Sequence, residues 1–329
     1  MIAHAPANPG RTKQDFRIQA GSGCLTLSRP HRPVIYVLGA VLLILATLID
    51  TALAADCGDW NTKRFFQEAT PETVQGCLAS GAGPMARNMI GETPLHRAVM
   101  HSEDPAMDTV LVRAGADPNA RAEEGTTPLH AAVDLNHNPD VITVLVQAGA
   151  DPNLQDEYGW APLHQAVVNT INPAANAVAL IRAGADPNAR GKYGETPLHQ
   201  VARYQDDPGA VVAVLIDGGA DPNARTDTGT TPLHWAAASN DGIPALQSLI
   251  RAGADPNARD ERGATPLHFA AAYSNSPEIV AALIRAGAHP GAQDELGATP
   301  LHWTAYGNGN PAVIDALIEA GVRPDVQDR

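Results

Sequence analysis

The chain has 329 residues, with 22 Lys and Arg against 36 Asp and Glu, a formal net charge of −14. A surplus of acid repels phosphates, so nucleic acid is excluded as a partner. Only three cysteines are present, Cys24, Cys57 and Cys77. Residues 1–33 carry Arg11, Lys13, Arg17, Arg29 and Arg32 against a single acid, Asp15, and run into the apolar stretch Val34 to Ile49 and then Ala52-Leu53-Ala54. A basic region, an apolar core and small residues at an Ala-x-Ala site predict a signal peptide of bacterial type over residues 1–54, with a basic N-terminal extension and cleavage after Ala54. The alternative is an uncleaved inner-membrane anchor at residues 34–49, but its 16 residues reach only roughly 24 Å against a hydrocarbon core of about 30 Å. A membrane association is expected only if this leader is retained. The exported chain would be periplasmic or secreted and carry 17 basic against 34 acidic residues. Export also leaves Cys57 and Cys77 as a pair in an oxidising compartment, which predicts a disulfide; two unpaired buried thiols are the other possibility.

Past residue 57 the chain repeats. Thr-Pro-Leu-His, once with Ala for Thr, occurs seven times, and its histidines stand at His96, His130, His164, His199, His234, His268 and His302, spaced by 34 or 35 residues. Gly-Ala-Asp-Pro-Asn recurs in register at Gly115, Gly149, Gly184, Gly219 and Gly253. A fixed period in the thirties means stacked units, each too small to bury its apolar face alone. In Thr127-Pro128 the hydroxyl suits a helix cap and proline the first helical turn, and Asp104, Asn138, Asn172, Asp207, Ser276 and Asn310, each followed by proline, open a second helix the same way. Val141, Ile142, Leu145 and Val146 give that helix one apolar stripe, and Gly149 suits the left-handed residue that stops it. The polar stretch Gln155 to Gly159 then reads as a hairpin tip.

These two motifs in register make residues 57–329 resemble the ankyrin-repeat family. The resemblance implies an all-α repeat solenoid of helix-turn-helix units joined by hairpin turns. It predicts a degenerate N-terminal cap at 55–87 and seven repeats at 88–121, 122–155, 156–190, 191–225, 226–259, 260–293 and 294–329. It also implies that the histidines tie one turn to the next; equivalent side chains about 10 Å apart in neighbouring repeats cannot share a metal ion, whose ligands lie at about 2 Å. No metal site, catalytic triad or cofactor loop stands out from the repeat pattern.

In such stacks the recognition surface is formed by hairpin tips and the exposed side of the first helix. At matching positions stand Tyr158, Trp160, Lys192, Tyr193, Tyr204, Tyr273 and Tyr306, with Trp160, Tyr193 and Tyr204 as the expected centre. Tyr and Trp supply large contact area with few rotors to freeze, though isolated surface aromatics covering neighbouring methylenes are an equal reading. Trp235, Phe269 and Trp303, directly after the histidines, are expected to be partly core. Acids recur at the tips, as in Glu123-Glu124, Asp156-Glu157 and Asp260-Glu261. They read either as a solvated surface or as a stripe that steers a basic partner. The expected function is an exported, non-enzymatic scaffold for a protein partner, with an assembly or stabilising partner of an exported enzyme as the alternative. At the chain's end Gly321-Val322-Arg323-Pro324-Asp325 breaks the motif, which predicts a weakly held last repeat.

Overall fold

The computed structural model describes residues 57–136, 138–168, 172–204, 208–307 and 309–323; the leader expected at 1–54 lies outside the described residues. Sixteen α-helices and two 3₁₀ turns, and no strand, form the regular structure of the described residues. They come in eight pairs: α1 Lys63–Glu68 with α2 Pro71–Ala79, α3 Pro94–His101 with α4 Pro105–Arg113, α5 Pro128–Leu135 with α6 Asp140–Gln147, and α7 Pro162–Val168 with α8 Pro173–Arg182. The other four are α9 Pro197–Tyr204 with α10 Pro208–Asp217, α11 Pro232–Ala238 with α12 Ile243–Arg251, α13 Pro266–Tyr273 with α14 Pro277–Arg285, and α15 Pro300–Tyr306 with α16 Pro311–Glu319. Odd-numbered helices pack on one another in one layer and even-numbered helices in a second.

Local chemistry sets the helix ends. Proline occupies the first position of most helices, where its missing N–H breaks no hydrogen bond. At the end of α6, Ala150 N–H donates to Leu145 O and Gly149 N–H to Val146 O, both at 2.9 Å, with Gly149 at φ +98°. That pair of bonds closes a helix through a left-handed residue, which glycine adopts without a Cβ clash. Second-helix capping is less uniform than the sequence implies. Asp104 and Asn310 accept from the amides two residues on, whereas the Ser276 hydroxyl donates to Glu278 instead.

Leucines of the tetrapeptide, Leu95, Leu129, Leu163, Leu198, Leu233 and Leu267, and their second-layer counterparts Leu111, Leu145, Leu180, Leu215, Leu249 and Leu283, are fully buried. They form one continuous core. Asp108 interrupts it. This residue of α4 is 1 % exposed, and neither carboxyl oxygen has a hydrogen-bond partner.

Two side-chain ladders fasten each unit to the next. Each histidine accepts from the backbone N–H at the first position of its own tetrapeptide through Nδ1, as Thr93 N–H to His96 at 3.2 Å. An N–H can only donate, so Nδ1 is the bare nitrogen and Nε2 carries the proton. His96, His130, His164, His199, His234 and His268 then use Nε2 to donate to a carbonyl of the following tip at 2.9–3.2 Å. On the other side, Asn119, Asn153, Asn188, Asn223 and Asn257 donate through Nδ2 to the glycine carbonyl of the next unit and accept from the amide two residues later, at 2.7–3.1 Å.

Different residues take both roles at the N-terminal end. Asn61 Nδ2 donates to Glu92 O at 2.9 Å, the carbonyl position that the histidines use elsewhere. Met85 occupies the asparagine position, with its sulfur accepting from Asp117 N–H at 3.1 Å. Trp60, Phe65 and Phe66 cluster with ring centroids 5.0–5.8 Å apart, and Cys57 is disulfide-bonded to Cys77 with Cα atoms 5.6 Å apart.

At the other end Gly291 stands where the ladder needs asparagine, so the last pair of helices is held without that bridge. Hydrogen exchange should therefore open residues from 294 onward before the central units; protection equal to that of 190–260 in a proven monomer would contradict this.

Candidate partner-binding groove

The tips stack closely. Tip amides donate to carbonyls of the preceding tip, Glu157 N–H to Glu124 O at 2.8 Å and Lys192 N–H to Tyr158 O at 3.3 Å. At Gly159, φ is +78° and an added Cβ would stand 2.6 Å from Lys192 N, so both backbone conformation and close approach require glycine there.

Between the tips and the first helices, a groove of about 740 Å³ runs from Glu92 to Glu195. Of the residues expected at a partner site, the structure brings together Tyr158, Trp160, Lys192 and Tyr193 along this groove. Tyr273 and Tyr306 stand outside its lining, on α13 and α15; Tyr306 is 81 % exposed. Tyr204 is the last residue of α9, and its side chain lies outside what the structure describes. Trp235, Phe269 and Trp303 are partly buried against the core, each edge-on to the tetrapeptide histidine of the previous repeat, His199, His234 and His268 in turn, with centroids 5.0–5.4 Å apart.

Carboxylates hold two of the groove's aromatic side chains, Tyr158 and Trp160. Tyr158 donates its hydroxyl to Glu124 Oε1 at 3.1 Å, which raises the phenol's pKa above its ordinary value. Trp160 donates from Nε1 to Glu195 Oε1 at 3.4 Å. Asp134 accepts from Gln165 at 3.0 Å, and Asp156 Oδ1 accepts from the Tyr158 and Trp160 amides. Among the described residues, five carboxylates thus line the groove together with one lysine, Lys192. Glu92 is paired to Arg97 at 2.7 Å.

The residue that sequence reasoning missed is Glu195. In three of the seven tips an Asp at the first position, Asp156, Asp260 or Asp294, accepts from the amides two and four residues on, and Asn88 does the same in the first. Gly191 has no such side chain, and Glu195 reaches back to accept from Tyr193 N–H through Oε2 at 2.9 Å. Its Cδ fills the space of the absent Cβ, 2.7 Å from where that atom would be. The pairing of Gly191 with Glu195 in an alignment of the seven tips is the signal that could have found it.

Gly191→Asp alone should cost about 1–3 kcal/mol, because Glu195 must vacate its place. Adding Glu195→Ala should restore most of that by recreating the tip that Asp260 forms with Ala264 and Asp294 with Ala298. Denaturant unfolding of the four-member cycle reads the coupling directly, and additivity within about 0.5 kcal/mol would refute the exchange.

Among the described residues, no group of three or more His, Cys, Asp or Glu side chains is placed to hold a metal. The comparison with curated proteins finds no match. A family profile described as Ankyrin repeats (3 copies) matches residues 66–156, 95–190, 163–260 and 236–328, well over half of the chain. With its paired helices, histidine ladder and stacked hairpin tips, the chain belongs to the ankyrin-repeat family.

Proposed function

We propose that this chain is an exported, non-enzymatic scaffold that binds a protein partner along the face formed by its hairpin tips and first helices. Ankyrin repeats generally mediate protein–protein interaction. The observation that carries the choice of face is the groove in which Tyr158, Trp160, Lys192 and Tyr193 meet: of these, Tyr158 and Trp160 are held by carboxylates and give large, preorganised contact area. Tyr193 is 69 % exposed although it sits in a rigid tip. Export rests on the leader-like residues 1–54 and is supported by the Cys57 to Cys77 disulfide, since such bonds persist in oxidising compartments.

The test is affinity capture from a periplasmic extract with the exported chain as bait, followed by mass spectrometry. Proteins enriched by the parent should be lost with Trp160→Ala and Tyr193→Ala, each weakening binding by about 1–3 kcal/mol while thermal unfolding stays nearly unchanged. Equal capture by parent and variants would reject this face. Intact mass of the purified bait should give Ala55 as the first residue and two cysteines refractory to alkylation; a retained leader or two free thiols would reject the export reading.

A further inference from the structure

We infer that the groove is a socket for the guanidinium of an arginine carried on an extended segment of the partner, seated against the rings of Trp160 and Tyr193 on the carboxylate of Glu195. This deepens the reading of the groove as the partner face and rests on it.

Glu195 carries the argument. It is 6 % exposed, yet its oxygens accept from two neutral donors, Trp160 Nε1 and Tyr193 N–H. The ion pairs seen among the described residues are Arg64 with Glu68, Arg97 with Glu92 and Arg190 with Asp227, none of which involves Glu195. A buried carboxylate without a cation is costly, and each of its oxygens retains a second lone pair. The groove in which it stands is lined by aromatic rings and by four further carboxylates against one lysine, Lys192, which makes no ion pair with Glu195. The occupant that satisfies both is a cation with flat, weakly hydrated faces that donates from a fork of N–H groups, which describes guanidinium better than ammonium.

A metal ion is the poorer occupant, because no three potential ligands converge. A free small cation is also a poorer fit. The groove extends from Glu92 in the first full unit to Glu195 in the fourth, three steps of about 10 Å each. That length suits roughly nine residues of extended chain at about 3.3 Å per residue.

The experiment is isothermal titration of the exported chain with four ligands: a nonapeptide with one central arginine, the same peptide with citrulline or lysine there, and arginine amide alone. The arginine peptide should bind at least about tenfold tighter than the citrulline peptide, with lysine between them and arginine amide weaker than its peptide. Glu195→Gln should lower arginine-peptide affinity about tenfold and leave the citrulline peptide unchanged. Glutamine keeps an acceptor for Tyr193 N–H, so the tip is retained, as circular dichroism and thermal unfolding will report. Should that variant fail to fold, Trp160→Leu serves instead, with loss of the arginine preference expected.

Equal affinity for arginine and citrulline peptides, binding of neither, or an unchanged Glu195→Gln overturns the socket. Arginine amide binding as tightly as its peptide overturns the extended-segment source. If the peptides fail while Trp160→Ala still abolishes capture of the protein partner, the face stands and the socket is wrong.

Discussion

Between pH 6.5 and 4 the protein should lose several kcal/mol of stability, and the histidine ladder is the cause. Burial, opposed by the bond to the next tip, lowers His96, His199 and His234 from the ordinary 6.5 to about 4; His130, His164 and His268 are lowered for the same first reason. Protonation would place hydrogen on Nδ1, where a backbone N–H already points. In that window the unfolded chain therefore binds more protons than the folded one, so stability rises with pH. The contribution is complete above the unfolded value of 6.5 and is lost as pH falls towards 4, on the order of 3 kcal/mol for each of the three most shifted rings. Asp108 opposes this, because its pKa is raised by burial and by Asp104. Urea unfolding should show a plateau above about pH 7 and a fall of several kcal/mol by pH 4.5; a flat profile from 7 to 4.5 would reject the ladder as a main source of stability.

Asp108→Val should stabilise the protein by roughly 1–4 kcal/mol at pH 8, the range found when unmatched buried charge gives way to apolar packing. Aligned on the glycine that ends each second helix, Asp108 stands where Ile142, Ala177, Val212, Leu246 and Val280 stand in the next five units, all of them buried. Valine already fills this position in two of those units, as Val212 and Val280. The sign follows from linkage: the raised native pKa means that Asp108 destabilises increasingly as pH climbs from the ordinary carboxylate range through that native value. The gain should therefore be larger at pH 8 than at pH 4, and Asp108→Asn, which still buries a polar group, should gain less. Equal or lower stability of Asp108→Val at pH 8 would show that the carboxyl has partners in solution.

The helix pairs were legible because Thr-Pro starts, glycine stops and apolar stripes act within a few residues of chain. The cap was harder to read. Asn61 and Met85 do the work of histidine and asparagine with different chemistry, and only their positions against Glu92 O and Asp117 N–H reveal it. The groove was half legible. Tyr158, Trp160, Lys192 and Tyr193 stand out as large residues where the scaffold needs none, but nothing in the local sequence marks Glu195, whose place is set by the space beside Gly191. Asp108 reads as one more helix acid unless the seven second helices are compared position by position.

The most direct test of the account is hydrogen exchange of the exported chain with and without the partner recovered by capture. Bound partner should slow exchange at residues 122–126, 156–160 and 191–195, the tips that border the groove, and leave the second helices α6, α8 and α10 unchanged. Protection confined to those second helices, or to α15 and α16, would place the partner elsewhere and contradict the account.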